Sequence, residues 1–365
     1  MLGIDLARAV ALVGMMATHT MDLVDAVGDP TPIALIAGKA AALFAVLAGF
    51  SVVLSTRRYD RWRDAALSLV VRGVLIAVLG FVLGSLSGSI AVVLVHYGAL
   101  FLLAPLFLRM PSRWLVPLTA VWVVAAPALS HLLRGRWGLV RDGGSPGLES
   151  LSAPVELVQD VVLTGYYPVL AWLGYLLVGV LLARLDWSRI DVAIRALIGG
   201  VLAAAAAWIV SQLLLAAGGA EAIERASAGR GPMDWGSLYA ARWIGSYGVT
   251  PTDTWWWLVV SGPHSSTTFD LVYTSGIAVA VIAACVLLCR ALGERTRLLM
   301  PVLAAGSMPL TLYTLHVVMS GLMELFVLQV VLLLTLAALW RVSTESSGPL
   351  ETLVSGAVKA VVPRC

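Results

Sequence analysis

The stretch Gly3-Ile-Asp-Leu-Ala-Arg-Ala-Val-Ala-Leu-Val-Gly-Met-Met-Ala-Thr-His19 is apolar and long enough to enter a bilayer, yet it contains the ionisable side chains Asp5, Arg8 and His19. Such groups are costly at membrane depth, so they indicate either a functional role or a paired structural one. The interval from Arg8 to His19 is about three helical turns, which places both side chains on roughly the same helix face. The stretch therefore predicts a membrane helix that carries a cation and a base along one side.

The composition extends this interpretation to the whole chain. Of the 365 residues, 60% are hydrophobic and 12% are charged, whereas soluble globular proteins carry about 25% charged residues. This composition indicates a polytopic membrane protein whose partner is the lipid bilayer, and no nucleic-acid partner is expected. The cysteines Cys285, Cys289 and Cys365 have neither C-x-x-C nor C-x-H spacing, so we expect no metal site and no disulfide framework.

Ten stretches approach the roughly 20 apolar residues that a membrane helix needs. The predicted fold is therefore all-α, a polytopic transmembrane helix bundle of about ten spans, with no soluble domain. It forms a single domain over residues 1–345, which is followed by a short cytoplasmic tail over residues 346–365. The predicted spans are 4–21, 33–55, 66–86, 89–108, 114–133, 167–184, 192–216, 270–290, 299–318 and 321–340.

The distribution of arginine predicts the orientation of the bundle, because cytoplasmic loops are enriched in Lys and Arg. With a cytoplasmic N-terminus, the longer connections lie outside and the short basic ones lie inside. Both termini are then cytoplasmic. The first helix is expected to be retained, since it lacks the early Lys or Arg of a signal peptide. The inner connections are 57–63, 109–113, 184–195, 290–297 and the residues after 341, and the outer ones include 22–32, 134–166 and 217–269.

The two longest outer connections are rich in aromatic residues. An aromatic belt at the membrane interface explains such residues, and stacking against a carbohydrate is the alternative. The residues concerned are Trp137, Tyr166, Tyr167, Trp235, Trp243, Trp255, Trp256 and Trp257.

With this orientation, all five histidines lie on the outer side of the membrane, at positions 19, 96, 131, 264 and 316. A neutral histidine is a natural general base near neutral pH, so this cluster predicts an outward-facing polar site. His19 is the first catalytic candidate, with Arg8 aligned on the same helix. His131 is expected to be only a helix-end group.

A second catalytic candidate is His264, in the hydroxyl-rich loop 261–268 that is followed by Asp270. We expect His264 and Asp270 to belong to the catalytic set. Five more side chains are candidates for substrate binding, and for each of them an ordinary hydrogen bond between helices is the alternative. These five are Ser265, Thr267, His96, His316 and Tyr313.

Several charged residues belong to the opposite, cytoplasmic side. Asp5 lies three residues from Arg8, so the two can form an ion pair and Asp5 is predicted to be structural. Arg57, Arg58 and Arg61 are expected to bind the phosphates of a cytosolic donor, although such clusters often serve only to set the topology.

Lys39, deep in the second span, either snorkels toward water or faces the site.

The stretch from Gly3 to His19 resembles the first helix of bacterial proteins similar to heparan-alpha-glucosaminide N-acetyltransferase. Residues 43–51, 164–172, 263–269 and 310–316 look like later blocks of the same group, and the ending Gly348-Pro-Leu-Glu351 is similar to that of YeiB-like membrane proteins. In the wider transmembrane acyltransferase superfamily, acyltransferase-3 proteins carry an Arg, ten residues and then a His. Arg8 and His19 match this spacing.

The resemblance implies an enzyme that takes an acyl group, expected to be acetyl, from cytosolic acyl-CoA and transfers it to an extracytoplasmic glycan or lipid. Acetyl-CoA or another acyl-CoA is then the donor substrate, and no metal is required. Carried over by the motif, His19 is the catalytic base or the acyl carrier, and Arg8 is its partner on the donor side. The expected location is the cell membrane, as a multi-pass protein.

Two other classes of function fit the same composition. A transporter or flippase for a small polar solute or a glycolipid predicts inverted repeats with helices broken at matching positions. Pro168 and Pro309 supply breaks, but the sequence has no clear internal symmetry. A membrane partner subunit with a vestigial site would tolerate the loss of Asp5, Arg8 and His264. A homodimer is compatible with each of these functions.

Overall fold

The structure, a computed structural model, describes residues 1–88, 90–140, 144–323 and 325–362. Within these ranges the protein consists of helices, and no strand forms beyond one isolated bridge between Val24 and Pro30. The predicted all-α fold is therefore confirmed. Residues 89 and 324 of two predicted spans, and residues 363–365 of the predicted tail, including Cys365, lie outside the described ranges.

The α-helices of the described ranges are numbered here in chain order. Short 3-10 segments (Pro32–Leu35, Leu148–Ser152, Trp255–Val259, Gly293–Leu299) and π segments (Asp160–Thr164, Leu215–Gly219) connect or extend them. The α-helices are α1 (Leu2–Thr20), α2 (Lys39–Thr56), α3 (Trp62–Leu86), α4 (Leu94–Leu103), α5 (Pro105–Leu108), α6 (Ser112–Trp137), α7 (Pro154–Gln159), α8 (Val169–Ala183), α9 (Ile190–Leu214), α10 (Ala220–Ala226), α11 (Leu238–Trp243), α12 (Thr268–Leu292), α13 (Met300–Ser307), α14 (Pro309–Ser320), α15 (Phe326–Thr344) and α16 (Pro349–Val361).

Within the described ranges, 7 helical segments are long and apolar enough to cross a membrane. An eighth is added if Pro154–Thr164 and Val169–Ala183, which are bent by 53°, count as one span. The count of ten spans is not confirmed, because α4, for example, would be only about 15 Å long against a hydrocarbon core of ~30 Å. The count and the orientation of the termini stay predictions. The segments are Leu2–Thr20, Pro32–Thr56, Trp62–Leu86, Ser112–Trp137, Ile190–Ala226, Thr268–Ser307 and Phe326–Thr344.

Prolines explain why two of the predicted spans are interrupted. Pro105 is the first residue of α5, immediately after α4, and Pro309 is the first residue of α14, immediately after α13 and Met308. Proline lacks an N–H donor and clashes with the preceding turn, so it begins helices and interrupts longer ones. The predicted spans 89–108 and 299–318 therefore each contain two short helices.

Helix α1 lies at the centre of the bundle. It packs against α2, α12, α13, α14 and α15, and more than half of its residues are buried. Its polar side chains therefore face protein rather than lipid, which lowers the cost of placing them at this depth.

Glycines let two pairs of helices pack at backbone contact. A Cβ atom on Gly49 of α2 would overlap the carbonyl oxygen of Leu176 in α8. Between α9 and α12, a Cβ atom on either Gly200 or Gly276 would lie 2.6 Å from the carbonyl oxygen of the other. Small residues allow this close approach of membrane helices. These glycines therefore help to determine the positions of α2 and α12 relative to α1.

Short basic connections meet at the end of the bundle where α1 begins. The guanidinium of Arg57 donates to the carbonyl of Ala183 at 2.6 Å, and that of Arg184 donates to the carbonyl of Met110 at 2.6 Å. Arg290 donates in the same way to Trp187. Cations near the carboxyl ends of helices satisfy carbonyls that have no partner within the helix, so these arginines join neighbouring helix ends.

The connection between α9 and α12 covers the opposite end, where α1 ends. It has a small hydrophobic core of its own, and no sequence pattern predicted this core. Within the predicted aromatic cluster, Trp255 and Trp256 are exposed, whereas Trp257 is buried and donates to Asp253 at 2.6 Å. The residues of this small core are Leu215, Ile223, Leu238, Ala241, Trp257 and Val260.

The predicted tail contains α16, a helix that packs against α3 and α14. Glu351 attaches it: one carboxylate oxygen accepts from the backbone N–H groups of Leu310 and Thr311 at 2.7 and 3.1 Å, and the other accepts from the Thr311 hydroxyl at 2.5 Å. A carboxylate at a helix N-terminus satisfies free N–H groups and is favoured by the helix dipole. Residues 349–361 therefore have a fixed place against the bundle.

Candidate active site

Two cavities lie end to end along α1. The His19 cavity, at the end of α1, has a volume of about 370 Å³, and the Arg8 cavity, beside the first half of α1, has a volume of about 340 Å³. Arg8 and His19 are separated by about 16 Å along the helix at 1.5 Å per residue. The central helix thus presents one ionisable side chain to each cavity.

The His19 cavity combines two histidines with three tyrosines. Small residues at the start of α2 form one wall and leave space for a ligand, while Tyr247 and Ile244 come from the covering connection. The lining residues are Met15, Thr18, His19, Leu23, Ala37, Gly38, Ala40, Ala41, Ser87, Gly88, Ile90, Ala91, Gly144, Ser145, Tyr166, Tyr167, Ile244, Tyr247 and His264.

The loop before α12 places His264 in this cavity. Thr267 caps α12, since its hydroxyl accepts from the Asp270 N–H at 3.1 Å, and the Asp270 carboxylate accepts in return from the Ser266 N–H at 3.0 Å. His264 and Ser266 have φ angles of 52° and 50°, values that non-glycine residues rarely adopt. Because such strain persists only where the surroundings enforce it, the capped loop holds the His264 ring in a defined position.

Aromatic rings enclose His264. The centroid of its ring lies 4.7 Å from that of Tyr166 and 6.5 Å from that of Trp172, to which it is nearly parallel. Burial, together with the smaller effect of the positive charge of Lys39, lowers the pKa of His264 to about 3. The His264 imidazole is therefore neutral at physiological pH and retains a lone pair that can accept a proton or a hydrogen bond.

His19 is oriented by His316. The two rings are almost parallel, with Nδ1 of His19 2.9 Å from Nε2 of His316. On its other side, Nδ1 of His316 lies 2.8 Å from Oε1 of Gln329. No hydrogen bond to Nε2 of His19 is found within the described ranges, so this nitrogen is left for a ligand in the cavity.

The Arg8 cavity has apolar walls and two arginines. The Arg8 guanidinium donates to Asp5 at 2.8 Å and to the Ser51 hydroxyl at 2.8 Å. On α3, Nε of Arg72 is buried, and among the residues that the structure describes it has no hydrogen-bond partner. The lining residues are Arg8, Phe44, Leu47, Ala48, Ser51, Ser55, Arg72, Ile76, Val93, Leu94, Tyr97, Phe101, Ser307, Pro309, Leu310, Tyr313, Ser347, Glu351, Val354 and Ser355.

A thin partition separates the two cavities. On α2 the lining changes from the His19 cavity at Ala41 to the Arg8 cavity at Phe44, within one helical turn. The rings of Phe44 and Tyr97 lie parallel with their centroids 6.2 Å apart. Beside them, the Tyr313 hydroxyl accepts from the Val93 N–H at 3.3 Å. Phe44 and Tyr97 thus border the Arg8 cavity at this partition.

The structure brings together some of the predicted site residues. His19 and His264 line one cavity, and Arg8 lines the other. His316 lies behind His19 and is fully buried, so its contact is with His19 rather than with the cavity. Tyr313 borders the Arg8 cavity instead of the His19 cavity. The roles assigned to these residues remain predictions.

Other predicted site residues lie outside both linings. Ser265 and Thr267 are buried within the loop that carries His264, and Asp270 is buried at the start of α12, so they support that loop rather than face the cavity. His96 is also buried, against Tyr167, and neither ring nitrogen has a partner within the described ranges. The predicted phosphate-binding residues are exposed outside the Arg8 cavity, where Arg57 instead joins α8; these residues are Arg57, Arg58 and Arg61.

Three residues of the site were not predicted from the sequence. Arg72 is a single cation within the apolar run of α3, and that isolation was an available signal. Gln329 is likewise a single amide among Leu and Val residues of α15. Glu351, which borders the Arg8 cavity, belongs to a segment that was assigned to the tail. Within the described ranges, no group of three or more His, Cys, Asp or Glu side chains is arranged to hold a metal ion.

Comparison with known protein families gives a match over the first part of the chain. Residues 1–215 match the family of the heparan-alpha-glucosaminide N-acetyltransferase catalytic domain. The matched part contains Arg8, His19 and Arg72, and it ends before His264 and the α14–α15 pair. No curated protein and no solved structure matches the chain.

Proposed function

The chain belongs to the heparan-alpha-glucosaminide N-acetyltransferase family, and from this we propose that it transfers an acetyl group from acetyl-CoA across the cell membrane to an acceptor, with His19 as the catalytic base. The acceptor is an extracytoplasmic glycan or lipid that presents an amine or a hydroxyl group. The observation that carries this proposal is the pair of cavities on α1, one with His19 and His264, the other with Arg8 and Arg72.

The Arg8 cavity fits the acyl-CoA donor. Its apolar walls suit the pantetheine arm, and the free Nε of Arg72 suits an amide or thioester carbonyl or a phosphate, because hydrogen bonds to a guanidinium are charge-assisted. The short basic connections meet at the same end of the bundle, where Arg57, Arg58 and Arg61 are exposed. We assign to these three residues contact with the donor phosphates that project from the cavity.

The His19 cavity fits the acceptor. Tyrosine rings such as those of Tyr166 and Tyr167 stack on the apolar faces of sugars, while their hydroxyls accept and donate hydrogen bonds. In the proposed reaction, the acceptor N–H or O–H gives its proton to Nε2 of His19 as its nitrogen or oxygen attacks the thioester carbonyl carbon. The C–S bond then breaks, and the CoA thiolate takes that proton from His19.

The same geometry allows His19 to act as an acyl carrier. In that case Nε2 of His19 attacks the thioester carbonyl carbon, the C–S bond breaks and CoA leaves as a thiolate. The acceptor then attacks the acyl-imidazole, the C–N bond to His19 breaks, and the proton of the acceptor passes to the thiolate. Either route requires the acyl group to pass Phe44 and Tyr97. Rapid quenching in denaturant near neutral pH, after reaction with labelled acetyl-CoA and no acceptor, separates the routes, since only the second one leaves label on the protein.

Labelled acetyl-CoA tests the proposed activity. Membranes that contain the wild-type protein are expected to transfer label to envelope glycans or lipids, and His19→Ala is expected to reduce this transfer by about 10²–10⁴-fold, the usual contribution of a general base. The matched control is His131→Ala, because His131 packs against Trp255 and lines neither cavity. Equal labelling by wild type and His19→Ala would contradict the assignment.

Transport is the second candidate, because two cavities separated by a thin partition also suit an alternating-access pathway. A transporter would accumulate a polar solute or move a glycolipid in proteoliposomes without acetyl-CoA. Accumulation without the donor, and unchanged by His19→Ala, would favour this second function over acetyl transfer.

A further inference from the structure

We propose that Gln329 is a positioning residue that fixes which nitrogen of His19 is free to act as a base. Gln329 acts through His316, and its chemical role rests on the proposed function. It lies on α15, outside the matched residues 1–215. His316 thereby takes the role of an orienting group in place of the substrate-binding role that the sequence suggested.

The inference rests on a continuous chain of hydrogen bonds. Nε2 of Gln329 donates to the carbonyl oxygen of Met323 at 2.6 Å, and Oε1 of Gln329 lies 2.8 Å from Nδ1 of His316. Nε2 of His316 then lies 2.9 Å from Nδ1 of His19. His316 and Gln329 are both fully buried, so water does not compete for these positions.

The direction of each hydrogen bond in this chain follows from the backbone carbonyl of Met323. A backbone carbonyl can only accept, so the group of Gln329 that faces Met323 must be its NH2 group. The amide oxygen of Gln329 therefore faces His316, and since that oxygen can only accept, Nδ1 of His316 must carry a proton. A neutral His316 then has a lone pair on Nε2, and this nitrogen accepts a hydrogen bond from the Nδ1–H group of His19.

The consequence for His19 is a defined tautomer. With its proton on Nδ1, neutral His19 has its lone pair on Nε2, the nitrogen without a protein partner in the described ranges. A general base needs this arrangement. When Nε2 takes a proton from the acceptor, the Nδ1–H of the imidazolium donates a stronger, charge-assisted hydrogen bond to His316. The buried chain thus favours the protonated intermediate.

Loss of Gln329 would allow the opposite tautomer. Without an acceptor at Nδ1, His316 can place its proton on Nε2 and donate it to Nδ1 of His19. His19 must then carry its own proton on Nε2, which removes the base from the cavity. At metal and hydrolase sites, a group that hydrogen-bonds to one ring nitrogen of a histidine fixes its tautomer in this way. Here a neutral amide and a second histidine take the place of the usual carboxylate.

Nitrogen-15 NMR of histidine-labelled protein in nanodiscs tests this inference directly, because the chemical shifts of the two ring nitrogens report which one is protonated. The wild type is expected to have His19 protonated on Nδ1. In Gln329→Leu the population is expected to shift toward Nε2–H. A wild-type His19 protonated on Nε2, or an unchanged tautomer in Gln329→Leu, would overturn the inference.

Kinetics provides the second readout. Gln329→Leu is expected to lower kcat by about 10²-fold or more with little change in KM for either substrate, because the base is lost and the cavities are not. Gln329→Glu keeps an acceptor toward His316 and, as the neutral acid, a donor toward the Met323 carbonyl. It is therefore expected to retain most of kcat where this carboxyl group is protonated, with the pH–rate profile changed by its ionisation. A Gln329→Glu variant as inactive as Gln329→Leu would contradict a positioning role.

The control is Gln212→Leu, at a half-buried position of α9 that lines neither cavity. It is expected to keep the wild-type tautomer and the wild-type kcat. The experiments distinguish a failure of the proposed acetyl transfer from a failure of the proposed role of Gln329. A wild type with the Nδ1–H tautomer but no acetyl transfer to any acceptor would support the hydrogen-bond chain and contradict the function. Acetyl transfer that Gln329→Leu leaves intact would support the function and contradict the role of Gln329.

Discussion

Two side chains that border the cavities have unfilled hydrogen-bonding capacity that a ligand could satisfy. Within the described ranges, Nε2 of His19 and Nε of Arg72 have no protein partner, and each belongs to a residue that borders a cavity. A buried polar group without a partner carries a free-energy cost of about 1–3 kcal/mol. A ligand that supplies the missing partner therefore recovers part of this cost.

Arg72 provides the first test at this scale. Arg72→Met keeps the length of the side chain and removes its charge and donors, so KM for acetyl-CoA is expected to rise roughly 10- to 100-fold, in line with about 1.5–3 kcal/mol for a charge-assisted hydrogen bond. Initial rates over a range of acetyl-CoA concentrations measure this. Arg63→Met, at an exposed position in the first turn of α3, is the control, and an equal rise in KM for both variants would contradict the assignment.

His264 provides a pH test. Its pKa is lowered to about 3 by burial and by Lys39, whereas an unfolded histidine titrates near 6.5. As the pH falls below about 6.5, the unfolded chain gains a proton that the folded site does not take, so stability is expected to fall until about pH 3. Other titratable groups also contribute to the pH dependence, so a variant must isolate the share of His264.

His264→Asn isolates this share, since asparagine tolerates the positive φ of this position. Thermal unfolding in detergent is expected to depend less steeply on pH between 6.5 and 3 in this variant than in the wild type. Identical pH dependence in the two proteins would mean that His264 is not held neutral by its surroundings.

At the scale of helices, backbone contacts at glycine determine the positions of the elements. The overlap that a Cβ atom on Gly49 would make with the Leu176 carbonyl requires α2 and α8 to separate. Gly49→Ala is therefore expected to lower the free energy of unfolding by about 1–3 kcal/mol, measured as a lower Tm in detergent. Gly199→Ala is the matched control on α9, because a Cβ atom there meets nothing within 4 Å; similar losses in both variants would contradict the packing argument.

The attachment of helix α16 to the bundle depends on the carboxylate of Glu351. Glu351→Ala removes the acceptor of the Leu310 and Thr311 N–H groups, so the attachment of α16 is expected to weaken by about 1.5–3 kcal/mol. Hydrogen exchange over residues 349–361 is expected to become faster than in the wild type. The exposed Glu156 supplies the control variant Glu156→Ala, and unchanged exchange in Glu351→Ala would show that α16 is held by other contacts.

The helices themselves could be predicted because their residues are apolar over long runs, and the resemblance of Gly3 to His19 pointed to the correct family. The interruptions before Pro105 and Pro309 were harder to predict, because a proline within an apolar run is compatible with a kink as well as with a break. The docking of α16 was not predictable from Glu351 alone. Its partners are free N–H groups of α14, and no sequence pattern indicates which helix end a distant carboxylate will reach.

At the scale of the molecule, the fold places an ionisable group of one helix in each of two cavities. The end where α1 begins gathers the short basic connections, and the opposite end is covered by the connection with the small hydrophobic core. The sequence predicted that His19 and His264 could share a site, but their meeting depends on the packing of α1, α2 and α12. The link from His19 through His316 to Gln329 is likewise tertiary, and periodicity carries no information about it.

The difference between the two ends of the molecule yields the most direct test. Sealed vesicles are prepared from the same membranes in right-side-out and inside-out orientation. Labelled acetyl-CoA, which does not cross the membrane, is added outside only, so it reaches one end of the protein in each preparation. Transfer of label to acceptors on the opposite face is expected only when the donor meets the end with the basic connections, and His19→Ala is expected to abolish it while His131→Ala does not. Transfer from the other face, or transfer that persists in His19→Ala, would contradict the account.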